Sequence, residues 1–208
     1  MNFLNKELDS IIKRVKEVDH GFKEMVEVAQ EFHKKLSSSE LFSLAKKLFQ
    51  SDSYQAQMTA TLMIGYLAPA SSSALSFLKE KVSKNDNWRV QEMLAKAFDF
   101  YAASIGYEKA IPIIKEWLGD KTPNVRRAVT EGLRIWTSRS YFKQHPEIAI
   151  ELLSKLKKDE SEYVRKSVGN ALRDISRKHK EIIQKEITTW DLTNKNIKQV
   201  YQLASKFL

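Results

Sequence analysis

The sequence predicts an all-α protein, an α-solenoid in which pairs of helices stack one on the next. A phrase with helical spacing recurs when the chain is aligned on Ala56, Val90, Val125 and Val164, and the intervals are 34, 35 and 39 residues. Glycine (6) and proline (4) are too scarce in 208 residues for the tight turns of a sandwich or barrel. Helical pairs that recur at this period are typical of an α-solenoid.

The elements follow in order along residues 1–208, which we expect to form a single domain. Residues 1–36 predict an N-terminal helical cap, two amphipathic helices interrupted at "DHGF". Residues 37–190 hold the repeats, which open with a capping box from Ser37 to Glu40. Amphipathic helices precede the later anchors in "ALSFLKEKV", "KAIPIIKEWL" and "EIAIELLSKL", and prolines at 123 and 146 mark helix starts. Residues 191–208 predict a loop and a C-terminal capping helix.

Charge and composition limit the class of protein. The net charge is +9, and residues 85–208 carry 23 Lys and Arg against 16 Asp and Glu. This bias has two explanations, a solvated basic surface without a partner or a face that neutralises phosphates. The absence of cysteine excludes disulfides and thiolate metal sites. The first twenty residues hold no long apolar run, so we expect a cytoplasmic protein, nucleoid-associated if bacterial, without a membrane partner. We also expect a monomer.

The pattern of a helix-opening aspartate followed by Val-Arg-Arg resembles HEAT repeats. The resemblance implies that the second helix of each pair lines a concave face, which would here be basic. The last two repeats place six basic residues on equivalent helices: Arg126, Arg127, Arg134, Arg165, Lys166 and Arg173. Arg126 and Arg165 have an alternative role, since such arginines often bond the neighbouring repeat's aspartate. We place Arg134 and Arg173, about two turns further on, on the open face.

One pair of residues is a candidate reactive site. Trp88 and Glu92 lie four residues apart, so they share one face of a helix. The alternative is structural: Trp88 packs between two repeats and Glu92 pairs with Arg127. The sequence shows no glycine-rich phosphate loop and no group of residues with metal-ligand spacing.

Three phrases, "NWRVQE", "PNVRRAVTEGLR" and "DESEYVRKSVGNALRDISRKH", resemble the AlkD/AlkC superfamily of HEAT-like-repeat DNA alkylation-repair proteins. The resemblance covers about residues 50 to 190, and the longer phrases look closer to the AlkC-like branch than to AlkD. It implies that Trp88 and Glu92, a glutamate in place of the expected aspartate, lie at a lesion in double-stranded DNA. It also implies that Arg127 contacts the backbone. Asn170 stands where a second tryptophan is expected.

The resemblance implies an alkylpurine DNA glycosylase, which would release 3-methyladenine or 7-methylguanine without metal or cofactor. Two alternatives stay open. One is a non-catalytic HEAT-like protein that binds duplex or branched DNA, with Asn170 among its contacts. The other is a protein-interaction scaffold.

Overall fold

The structure, a computed structural model, describes residues 3–208. These residues form helices and short turns, and no strand occurs among them. The chain divides into two compact units, Met1–Ser104 (unit 1) and Ile105–Leu208 (unit 2). The predicted fold class is confirmed in its all-α helical pairs; the concave basic face and the single-domain division stay predictions.

The described residues of unit 1, from 3 onward, form six α-helices. They are α1 (Phe3–Lys16), α2 (Lys23–Lys35), α3 (Ser38–Phe49), α4 (Tyr54–Leu67), α5 (Ser72–Glu80) and α6 (Trp88–Ile105), the last of which ends at the unit boundary. The interruption predicted at "DHGF" separates α1 from α2. The predicted capping box opens α3, because the Ser37 hydroxyl accepts the amide of Glu40 and the Glu40 carboxylate accepts the amide of Ser37.

The core of unit 1 forms around α4, which packs against α1, α2, α3 and α5. The anchors Ala56 and Val90 are fully buried, as their repeat positions predict. Gly65 lets α4 approach α6 closely, since a Cβ atom at this position would lie 2.6 Å from the Cβ of Ala97. This close approach packs the middle of α6 against α4.

Unit 2 contains seven α-helices. They are α7 (Tyr107–Leu118), α8 (Pro123–Gly132), α9 (Ser140–Gln144), α10 (Pro146–Ser154), α11 (Glu162–Ser176), α12 (Lys180–Ile187) and α13 (Lys195–Ala204). The two proline starts are confirmed, at Pro123 and Pro146. The centre of the unit is α11, which packs against α8, α10, α12 and α13. Its contact with α13 needs Gly169, where a Cβ atom would lie 2.7 Å from the Cβ of Leu203.

The prediction for α8 is wrong in its length. The sequence predicts a helix through Arg134, but α8 ends at Gly132. The carbonyl of Thr130, which the next helical turn would use, accepts the indole Nε1 of Trp136 at 3.1 Å. The carbonyl of Gly132 accepts a nitrogen of Arg139 at 3.2 Å. Arg134 therefore lies beyond the C-terminus of α8, and the prediction that it projects from a helix equivalent to that of Arg173 is wrong.

Candidate functional site

The predicted pair of reactive residues lies at the start of α6, in unit 1. The Nε2 atom of Gln91 donates to two carbonyl oxygens of the preceding loop, at 3.0 and 2.7 Å. The side-chain oxygen of Asn87 accepts the amide of Arg89 at 2.9 Å. These bonds fix the loop where α6 begins. Trp88 therefore lies in the first turn of α6, with Glu92 one turn further along the same face.

A pocket of about 400 Å³, which we call the Trp88 pocket, opens beside the pair. Its volume is within the range of about 300–1,000 Å³ that is usual for ligand pockets. Glu92 is the one acid in its lining, and much of the remaining wall is apolar or aromatic. The lining residues, all in unit 1, are Gly21, Phe22, Met58, Trp88, Arg89, Glu92, Met93 and Lys96.

Trp88 is the most exposed of the large apolar side chains in the described part of the chain, at 56%. The alternative prediction that it packs between two repeats is therefore wrong. Glu92 is half-buried beside it, and its pairing with Arg127 stays a prediction. An exposed tryptophan beside a half-buried carboxylate offers an aromatic face and a negative charge to the same ligand, which suits a flat, cationic ring.

Two cations of the protein lie on the aromatic rings of this pocket. The guanidinium carbon of Arg89 is 4.5 Å from the centroid of the Trp88 ring. The Nζ atom of Lys96 is 4.7 Å from the centroid of the Phe22 ring. Both distances are typical of cation–π contacts, so the rings already attract positive charge in the protein without ligand.

The sequence analysis missed Phe22 as a pocket residue. Phe22 lies directly before α2, after a turn in which Gly21 has a φ of +84°. It continues the apolar stripe of α2 by one turn, and that stripe is buried at Met25 and Val28. The pattern alone therefore predicts a core residue, yet Phe22 is 44% exposed. Its partnership with α6 depends on tertiary packing, so no local signal could have revealed it.

Arg126 has the structural role that the sequence analysis gives as one of its two alternatives: it bonds an aspartate of the neighbouring repeat, an arrangement that we call the ladder. Its Nε and Nη2 atoms donate to the two carboxylate oxygens of Asp159, at 2.6 and 2.7 Å. Its Nη1 atom donates to the carbonyls of Asp120 and Lys121. The side chains of Arg126 and Asp159 are only 12% and 4% exposed. This fork ties α8 to the loop before α11, and contact of Arg126 with DNA stays a prediction.

Arg165 repeats this arrangement one step along unit 2. Its Nη1 atom donates to the carbonyls of Asp159 and Glu160, and its Nε atom donates to the side chain of Gln199 at 2.7 Å. The ladder partner is thus a glutamine rather than the aspartate that the repeat pattern suggests. Arg165 is buried and ties α11 to α13.

The other predicted contacts on α8 and α11 lie in three different environments. Arg127 is buried, and its guanidinium stacks on the ring of Tyr163 at 4.0 Å. Lys166 is exposed and pairs with Glu162 at 2.8 Å. This hydrogen bond holds the pKa of the Glu162 carboxyl below its usual value. Asn170 is half-buried on the same helix as Lys166.

Arg134 and Arg173 share one carboxylate. Asp174 accepts the Nε of Arg134 at 2.6 Å and the Nη2 of Arg173 at 3.2 Å. Arg134 also donates to Glu131 at 3.0 Å. Burial alone would lower the pKa of the Arg134 guanidinium, but its bonds to Asp174 and Glu131 raise that pKa above the usual value. The two arginines are therefore neutralised in large part by neighbouring acids.

No group of three or more histidines and acids within the described residues is placed to hold a metal ion. Over the same part of the chain, no helix has the length and apolar character that crossing a bilayer requires.

A family model described as DNA alkylation repair enzyme matches residues 21–201 of the chain. The chain belongs to this family of DNA alkylation repair enzymes. The match extends further in both directions than the resemblance over residues 50 to 190 that the sequence phrases carry, and it includes the Phe22 segment.

Two solved structures share the fold of this family member. AlkD2 from Streptococcus mutans is 48% identical, with a TM-score of 0.96 over 99% of this chain and 99% of its own. The alkylpurine DNA glycosylase AlkC from Pseudomonas fluorescens, solved with DNA containing an abasic-site analog, is 22% identical. Its TM-score is 0.68 over 96% of this chain and 61% of its own, which shows a shared fold.

The curated protein YhaZ from Bacillus subtilis is 37% identical in an alignment of 107 residues that covers 48% of this chain. The match spans only 30% of the length of YhaZ. The chain is thus more similar to AlkD2 than to AlkC in sequence, and the expectation that it lies closer to the AlkC-like branch than to AlkD stays a prediction.

Proposed function

We propose that this protein binds double-stranded DNA as a monomer in the cytoplasm or nucleoid and hydrolyses the N-glycosidic bond of cationic N3- or N7-alkylated purines. The observation that carries the proposal is the Trp88 pocket. It combines an aromatic ring that is 56% exposed with one half-buried carboxylate in a volume suited to a ligand.

The chemistry asks little of the protein, because an alkylated purine already carries positive charge and leaves as a neutral base. Trp88 attracts that cation through the negative face of its ring. As the base leaves C1′, the sugar becomes an oxocarbenium ion. Glu92 stabilises that positive charge or orients the water that adds to C1′, as carboxylates do in glycoside hydrolysis. The water gives its proton to solvent, and no metal enters these steps.

Membership of the DNA alkylation repair enzyme family supports DNA as the partner, as does the DNA bound to the AlkC relative. The excess of basic over acidic residues in 85–208 supports an electrostatic contribution. Among the predicted basic contacts of unit 2, we assign DNA contacts first to Lys166, Arg134 and Arg173. Lys166 is exposed, and the two arginines retain nitrogens outside their bonds to Asp174 and Glu131.

A second candidate function is DNA binding without excision, to duplex or branched DNA. Asn170 favours it, because a half-buried amide stands where the resemblance expects an aromatic wall. An amide offers hydrogen bonds to DNA but no π-face to a cationic base. A protein-interaction scaffold would use the same helical repeats without either activity.

Two assays on the wild-type protein separate these functions. Release of 3-methyladenine and 7-methylguanine from methylated duplex DNA supports the glycosylase. Binding without release, with an affinity that falls steeply as salt rises, supports the non-catalytic protein. If the protein shows neither base release nor salt-dependent DNA binding, the protein-interaction scaffold is the remaining function.

A further inference from the structure

Arg89 and Lys96 are not used by the chemistry proposed above, although both line the Trp88 pocket. Arg89 lies between two rings, at 4.5 Å from the centroid of Trp88 and 5.1 Å from that of Tyr54. Lys96 lies 4.7 Å from the centroid of Phe22. Each cation thus lies over an aromatic ring of the pocket lining.

Within residues 3–208, neither cation forms an ion pair. The contrast with unit 2 is clear, since Arg126 pairs with Asp159, Arg134 with Asp174 and Lys166 with Glu162. Arg89 and Lys96 therefore keep their full charge available for an external anion. The contacts that hold them are also weaker, because a cation–π contact near solvent is easily exceeded by a charge-assisted hydrogen bond to phosphate.

A second positive charge at either ring is opposed by the cation that already lies over it. A cationic purine brought onto the ring of Trp88 or Phe22 would be repelled by the Arg89 or Lys96 charge that already lies over that ring. Departure of these cations would therefore make the aromatic pocket more favourable for a cationic base. Arg89 and Lys96 have long, flexible side chains, so they can turn toward a phosphate while their Cα atoms stay in α6.

We propose that Arg89 and Lys96 are phosphate-binding residues that leave Trp88 and Phe22 when DNA binds, which opens both rings to the damaged base. The proposal rests on the DNA binding in the proposed function but not on base excision. Phe22 becomes the second aromatic wall of the pocket. A free cationic nucleoside, with no neighbouring phosphates, would find the rings covered.

The test is the salt dependence of DNA binding by the Arg89→Gln/Lys96→Gln double variant. Each phosphate contact contributes about 0.9 to the slope of log affinity against log salt, so the slope of the variant should fall by about 2. Lys46→Gln is the matched control. Lys46 also lies 4.7 Å from a ring centroid, that of Phe42 on α3, but outside the Trp88 pocket, and its loss should leave the slope unchanged.

A second readout follows the ring itself. In protein labelled with 5-fluorotryptophan, the Trp88 signal is the one of four that disappears in Trp88→Phe. DNA should shift this signal in the wild type as Arg89 departs. In the double variant without DNA, the signal should already lie away from its wild-type position, because no guanidinium covers the ring.

Further variants test whether charge is the cause and allow for a double variant that does not fold. Arg89→Lys/Lys96→Arg preserves both charges and should retain the wild-type slope. If the double variant fails to fold, each single Gln variant should lose about 1 from the slope. An unchanged slope in folded variants overturns the proposal. Wild type that binds DNA but releases no base overturns only the excision step, whereas wild type that binds no DNA overturns the proposed function and this proposal together.

Discussion

Replacing Arg126 by alanine should destabilise the protein without lowering its affinity for DNA. The change removes a two-pronged contact to Asp159, with distances of 2.6 and 2.7 Å, and leaves that carboxylate only 4% exposed and without its cation. Removing one partner of a buried ion pair costs about 3–5 kcal/mol. Because 12% of the Arg126 side chain is exposed, we expect the lower end, about 3 kcal/mol.

For a chain of this length, each kcal/mol lowers Tm by about 2–4 °C, so Tm should fall by about 6–12 °C. Thermal unfolding followed by circular dichroism measures this change. Lys155→Ala is the control, since Lys155 pairs with Glu151 at 2.7 Å but both side chains are mostly exposed, and its Tm should not change measurably. A wild-type Tm for Arg126→Ala, or a loss of about 1 from the salt slope of DNA binding, would refute the ladder role.

Gly65→Ala should cost about 1–3 kcal/mol of unfolding free energy, because the new methyl would meet Ala97 at 2.6 Å; Gly119→Ala, whose nearest neighbour would lie at 3.5 Å, should cost much less in the same urea titration. The hydrogen bond from the α3 N-cap serine lowers the pKa of the Glu40 carboxyl. The stability that the Glu40 carboxylate contributes is therefore present above the unfolded pKa and lost as pH falls through the folded pKa. The Tm difference between wild type and Glu40→Gln should therefore shrink from about pH 6 to about pH 3, and a constant difference would contradict the assignment. Trp88→Ala should leave Tm within a few degrees of wild type, since the ring is 56% exposed, while base release falls at least tenfold; a large loss of stability would mean that the ring is packed.

Much of the fold could be predicted from the sequence because the apolar positions of the repeated motif are the positions that are buried. The anchors Ala56, Val90, Val125 and Val164 are all fully buried, each on the second helix of a pair. Local chemistry also predicted helix starts, such as the capping box at Ser37. These features depend on residues within a few positions of one another, so periodicity and capping rules suffice.

The end of α8 could not be predicted in the same way. Its last turn is replaced by hydrogen bonds from the side chains of Trp136 and Arg139, several residues downstream. Helical periodicity continues through Leu133, which is fully buried, so the pattern carries no sign of this competition.

The candidate site, too, has features that local sequence predicts and features that depend on tertiary packing. Spacing alone placed Trp88 and Glu92 on one helical face, and the structure places both in one pocket. Phe22 lies 66 positions before Trp88 in the sequence and reaches the pocket only through the packing of unit 1. The charge of the arginines was visible in the sequence, but their carboxylate partners were not, except for the aspartate that meets Arg126.

The most direct test of the central claim is the rate of 3-methyladenine and 7-methylguanine release by wild type and Glu92→Gln under single-turnover conditions. The substitution keeps the size of the side chain and removes its charge, so release should slow by about 10²–10³. DNA affinity should hold or rise, because a negative charge near phosphate is lost. Glu80→Gln, an exposed position on α5 outside the Trp88 pocket, should behave as wild type. Wild type that binds DNA tightly yet releases no alkylated base, or Glu92→Gln that releases it at the wild-type rate, would contradict the assignment of Glu92 as the catalytic carboxylate.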